Sequence, residues 1–225
     1  MHYVKPLPLN LAQRYHAWQA ERPAEHVNKA IKLAGEGQTP QAMVIACCDS
    51  RVQPETVFNG DIGDFFMYRN IANAVPAAQD ALATSTAAAL EYGLTVLNIP
   101  HLIVMGHSRC GGVQGCHAMC SGDAPALEQD DSFVGRWLQV LRPAFERVQQ
   151  DDIPADAQLT AMEQAGVLIS LENLLTHDFI KTRVEAGTLA LHGTWLDIRS
   201  GAVKAYDPQT CTFSCLLYTS PSPRD

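Results

Sequence analysis

At 225 residues, 47% of them hydrophobic, the chain is long enough to bury one large α/β core, and no second domain is expected. Its net charge of -8 and its lack of a Lys/Arg cluster argue against nucleic acid or anionic membrane as partners, since such binding begins by neutralising phosphates. No apolar run approaches the ~20 residues of a membrane span and no basic-then-apolar leader opens the chain, so the expected location is the cytoplasm and the expected substrate is small.

In chain order, Asn10 to Gly35 reads as helical and polar, with Leu11, Tyr15, Trp18, Val27, Ile31 and Leu33 as apolar contacts and Pro23 dividing two helices. Gly35 to Pro40 turns into a first strand, whose apolar run Met43 to Ala46 reads as a buried parallel strand. Phe65 to Arg69 is the second strand and Ala77 to Leu94 an alanine-rich helix. His101 to Gly106 is the third strand, followed by a helix from Gly112 to about Cys120 and an acidic turn at Asp123 to Asp131. Helices are expected over Phe133 to Gln149, Ala157 to Thr176 and Thr176 to Ala186, then a strand pair, Thr188 to Ile198 and Ala202 to Tyr206, turned at Ser200-Gly201. The fold class is α/β: a central, mostly parallel sheet of four parallel strands plus an antiparallel edge strand, flanked by helices and preceded by a helical arm over residues 1–35.

The chemistry gathers where two of these strands end. Ile45-Ala46-Cys47-Cys48-Asp49-Ser50-Arg51 and Gly106-His107-Ser108-Arg109-Cys110-Gly111-Gly112 both follow an apolar run, so both deliver polar groups to one edge of a sheet. His107 and Cys110, three apart, share a face of a first helical turn, and Cys47 joins them from a neighbouring strand end, which makes a Cys2His zinc site. Three protein ligands leave a position open for water or substrate, as catalytic zinc requires. Asp49 either ligates the metal itself or accepts a hydrogen bond from a zinc-bound hydroxide, with Arg51 holding it by a bidentate ion pair.

Of seven cysteines, five need no functional role. Cys48 is expected on the strand face opposite Cys47, as a small core residue. Cys116 and Cys120, at i and i+4 on a helix, permit metal binding but lack further ligands and read as packing. His26, His117 and His177 are surface or core residues before they are proton shuttles, and Ser50 supports its turn.

Cys-x-Asp-Ser-Arg followed by His-x-x-Cys-Gly-Gly resembles the β-class carbonic anhydrases. The likeness runs through Tyr68-Arg69-Asn70-Ile71-Ala72-Asn73, Leu90-Glu91-Tyr92-Gly93 and Leu191-His192-Gly193, covering about Gln38 to Asp207. It implies one Zn2+ per chain on Cys47, His107 and Cys110, reversible hydration of carbon dioxide to bicarbonate by zinc hydroxide, and Asp49 and Arg51 as the catalytic pair. It further implies a substrate pocket of Gln38, Phe66, Ile71, Tyr92 and Gly111 spanning two protomers, and a homodimer or higher even oligomer with the N-terminal arm laid over the second protomer, although the sequence by itself equally fits an arm packed on its own domain. Two thiolates cancel the formal charge of Zn2+, so activity is expected to favour alkaline pH. The same ligands suit a carbon disulfide or carbonyl sulfide hydrolase, and a silent zinc scaffold or sensor is the remaining alternative, against which Asp49 and Arg51 argue.

Two departures stand out. One bacterial branch of the resembled family is inhibited by bicarbonate in a pocket built from tryptophan, arginine and tyrosine; here those positions are Val44, Arg69 and Leu196, so that control is not expected. Cys215 to Asp225 resembles a translated transposon-adapter sequence from short-read libraries, so the domain is taken as residues 1–214 and 215–225 as disordered read-through.

Overall fold

The computed structural model describes residues 3–151 and 153–216, and the chain divides into two compact units, Met1–Gln38 and Thr39–Asp225. In the first unit, helices α1 (Leu9–Glu21) and α2 (Ala24–Glu36) each start after a proline, Pro8 and Pro23, which stands at the N-cap where its extended backbone turns the chain into the helix. Gly37 closes α2 in a positive-φ conformation, its N–H on the carbonyl of Leu33. Neither helix buries a residue within this unit.

The second unit is built on strands β1 (Ala42–Cys47), β2 (Phe65–Asn70), β3 (His101–His107), β4 (Ala190–Leu196), β5 (Val203–Asp207) and β6 (Thr212–Cys215), in the order β2-β1-β3-β4-β5-β6. The first four are parallel, and β5 and β6 are each antiparallel to the strand before them. The expected sheet is therefore present and longer by one strand. That sixth strand reaches Cys215, inside the tract set apart as read-through, while residues 217–225 lie outside the described residues.

Helices α3 (Pro54–Val57), α4 (Ala83–Glu91), α5 (Gly111–Cys120), α6 (Phe133–Leu138), α7 (Arg142–Gln150), α8 (Ala155–Leu174) and α9 (Asp178–Glu185) complete the unit. Met43, Ile45, Leu102 and Val104 alternate onto one sheet face, where they pack with Leu90 of α4, Val167 and Leu174 of α8 and Ile180 of α9. Val44, Ala46, Met105 and Leu196 form the core of the opposite face. A third cluster of Val113, Cys116, Leu138, Met162 and Ile169 joins α5, α6 and α8 and takes in Cys47 and Cys110.

Two helices differ from expectation, at three points and each for a local reason. Residues 78–82 form turns, not helix, because the Asp80 side chain accepts the Leu82 N–H at 2.8 Å and holds a turn there. After Glu91 the chain widens into a π-turn, Tyr92–Val96, with Leu97 N–H on the Tyr92 carbonyl. The single helix expected over 133–149 breaks at a 3-10 turn, Gln139–Leu141, and restarts with Pro143 in its first turn, where a missing N–H costs nothing.

Candidate metal centre

β1 and β3 are adjacent and parallel, so their carboxyl ends project Cys47 and His107 from the same sheet edge. His107 is the last residue of β3 and Cys110 the N-cap of α5; they do not share a helical turn, as the spacing had suggested. Left-handed Arg109 (φ 56°) reverses the chain between them and brings Cys110 back to His107. The three candidate ligand atoms lie within 4.8 Å of one another, and all three residues are buried.

The site is unfinished as protein chemistry. His107 Nδ1 lies 2.9 Å from the Ser108 carbonyl, which fixes the proton on that nitrogen, and Nε2 is buried with no hydrogen-bond partner. Such a lone pair is costly unless an ion uses it. Cys47 Sγ and Cys110 Sγ are 4.0 Å apart and share a proton: the contact with Cys110 leads in lowering the Cys47 thiol, and the same contact with burial raises that of Cys110. For His107, burial disfavours the charged ring, but the neighbouring Cys47 and the Ser108 carbonyl outweigh it and raise its pKa. Two sulfurs and one imidazole fit zinc.

Beside this group, Asp49 and Arg51 form a two-pronged ion pair, Nε to Oδ1 at 2.9 Å and Nη2 to Oδ2 at 2.7 Å, and the Arg51 N–H also donates to Oδ1 at 2.9 Å. Hydrogen bonds from Arg51 hold the Asp49 carboxyl well below the usual carboxylate range. Nη2 also reaches the Arg109 carbonyl at 3.2 Å, tying the two loops together.

A family model described as carbonic anhydrase matches residues 42–203. The chain belongs to the β-class carbonic anhydrases. Beta carbonic anhydrase 3 of Arabidopsis thaliana is 38% identical over 174 residues, which are 76% of this chain and 66% of that protein, so this chain spans just under two thirds of that relative. The solved β-carbonic anhydrase CcaA is 29% identical with a TM-score of 0.84, covering 92% of this chain and 91% of its own. One of two tetrameric β-carbonic anhydrases from the ascomycete Sordaria macrospora is 26% identical with a TM-score of 0.71, covering 87% and 94%.

Within this β-carbonic anhydrase fold, Phe66 and Tyr92 stack with ring centroids 5.9 Å apart, and Tyr92 stays about half exposed. Ile71 is also exposed, its carbonyl held by Trp137 Nε1 at 2.9 Å. No heavy atom lies within 4 Å of where a Cβ would stand on Gly111, so the start of α5 is open there. Gln38 closes the N-terminal unit. Cys48 corrects the expectation of a core residue: it is exposed, because β1 ends at Cys47 and the strand alternation no longer applies. His117 packs edge-on against Phe145, and His177 contacts the Pro76 carbonyl at 3.3 Å.

The residues that support the centre escaped sequence reasoning. Arg69 donates to the carbonyls of Cys47, Asp49 and Val52 at 2.7–2.9 Å and so clamps the whole first loop. The N–H of left-handed Ala72 donates to Cys47 Sγ at 3.3 Å. Ser108 receives the Ile198 N–H and donates to Asp197, both at 3.0 Å, so the carbonyl that fixes His107 is itself fixed. Buried Glu163 accepts from Cys110 N–H at 3.1 Å and Trp195 Nε1 at 3.2 Å; burial leads in raising its pKa. Its one signal in the sequence is a carboxylate within the apolar stretch of α8.

Proposed function

We propose that this chain catalyses the reversible hydration of carbon dioxide to bicarbonate and a proton. The observation that carries the reading is the convergence of buried Cys47, His107 and Cys110 beside a carboxylate kept ionised by Arg51. Cys47, His107 and Cys110 would hold a zinc ion, which when bound acidifies a water and so supplies the nucleophile at neutral to alkaline pH. Asp49, fixed through both oxygens by Arg51, accepts a hydrogen bond and orients the nucleophile; Arg51 moves no proton but keeps Asp49 a pure acceptor. Phe66, Ile71, Tyr92 and Gly111 form the pocket that receives an uncharged substrate, and the stacked Phe66–Tyr92 pair supplies its apolar wall.

The test is a stopped-flow hydration assay of the purified, zinc-loaded chain: turnover that a chelator abolishes and zinc restores supports the reading, and a zinc-loaded chain without turnover refutes it. A homodimer or higher even oligomer in the cytoplasm is part of the same proposal, supported by the tetrameric relatives and by an arm whose helices bury nothing within their own unit. Light scattering at assay concentration is expected to give an even oligomer; fully active monomers would contradict it. Among the described residues no helix is long and apolar enough to cross a membrane.

A further inference from the structure

The opposite end of β3 carries a second histidine. His101 opens the strand and lies two residues before Ile103, which pairs with His192 of β4, so the two histidines stand diagonally on one face of adjacent parallel strands. His101 Nδ1 and His192 Nε2 are 3.1 Å apart, and the ring centroids 5.3 Å. Both residues are exposed and line a cavity of about 1000 Å3, faced also by Thr194, Tyr206 and the Glu172–Arg147 ion pair. That space admits an ion with its waters.

We infer that His101 and His192 form a second metal site, separate from the Cys47–His107–Cys110 group, that takes a divalent transition ion of borderline softness such as Ni2+. Geometry carries this. With metal–nitrogen bonds of about 2.1 Å, a nitrogen separation of 3.1 Å subtends about 95°, close to the cis angle of an octahedral ion, and the two exposed rings, which now face each other nearly head-on, turn to aim both lone pairs at the ion. The ring proton now lying between the two nitrogens moves to the far nitrogen of its own ring, freeing both lone pairs, and water fills the remaining positions. Burial first, and then the facing His101, disfavour protonation of His192, which leaves its lone pair available. Two imidazoles without thiolate select against the soft ions that the cysteine-rich centre prefers.

The experiment uses the zinc-loaded full chain, so that the cysteine centre is filled, with Ni2+ as the probe, followed by calorimetry and by paramagnetic broadening of ring-15N histidine signals. Ni2+ is expected to bind about once per chain and to broaden the His101 and His192 signals first. Loss of either ligand in His101→Ala or His192→Ala should weaken binding at least about tenfold, since even outer-sphere changes cost about 10–100-fold. His16→Ala, in the helical arm, should bind as the unaltered chain does. The circular dichroism spectrum establishes that each variant is folded. Failure of the folded, zinc-loaded chain to bind Ni2+, or equal binding by the His101→Ala/His192→Ala double variant, would overturn the inference, and neither result bears on carbon dioxide hydration.

Discussion

β3 carries a histidine at each end, and the two ends of the sheet treat them oppositely. At the carboxyl edge, His107 is buried, its Nδ1 is fixed by the Ser108 carbonyl and its Nε2 is unsatisfied, with two sulfurs close by. At the amino edge, His101 is exposed and shares a hydrogen bond with another histidine that water can replace. The difference teaches what makes a centre from a pair of ligands: rigid backbone amides, carbonyls and an arginine clamp surround the first, whereas the second faces an open cavity. Tight, selective metal binding is therefore expected at the carboxyl edge, and weak, exchangeable binding at the amino edge.

The largest effect should come from emptying the tight end. Cys47→Ser is expected to lose the metal and, where zinc stands about 1,000-fold above its Kd, about 4 kcal/mol of stability, read as a fall in melting temperature; an unchanged melting curve with metal retained would erase the contrast between the edges. Asp49→Ala should keep its zinc yet lose about 10²–10⁴ in kcat, because a positioned proton acceptor is gone while every ligand remains. Ser108→Ala probes whether a fixed carbonyl matters: metal affinity, measured by competition with a chelator, should weaken about 10–100-fold while the fold persists.

The smallest expected effect is regulatory. Val44 and Leu196 are buried in one apolar cluster, and Arg69 Nε and Nη2 donate to three backbone carbonyls, so bicarbonate control is not expected at these positions. Asp49 is depressed below its unfolded value, so its ion pair contributes stability above the ordinary carboxylate pKa of about 4 and loses it only as pH falls below that. Asp49 thus stays ionised across the working range, and the pH–rate profile should fall gradually with acid along the single titration of the zinc-bound water, with added bicarbonate not steepening it beyond product inhibition.

What the sequence made legible followed from periodicity and from residue types with few uses. Apolar runs before Cys47 and His107 placed both at strand ends, and the spacing of Asp49 and Arg51 anticipated their ion pair. What stayed hidden depends on backbone geometry. Arg109 and Ala72 adopt left-handed conformations that no glycine announces, so the reversal bringing Cys110 to His107 was mistaken for a helical turn. Glu163 and Arg69 act through carbonyls and amides far away in sequence, where only the packed fold shows the partner. The exposure of Cys48 is equally hidden, because the end of β1 at Cys47, one residue before it, leaves no mark in the sequence.

The most direct measurement is the zinc content of the purified chain by native mass spectrometry, compared between His107→Ala and His101→Ala. The account predicts about one zinc per chain in the unaltered protein, kept in His101→Ala and lost in His107→Ala. Zinc that survives in His107→Ala, or that disappears with His101, would contradict it.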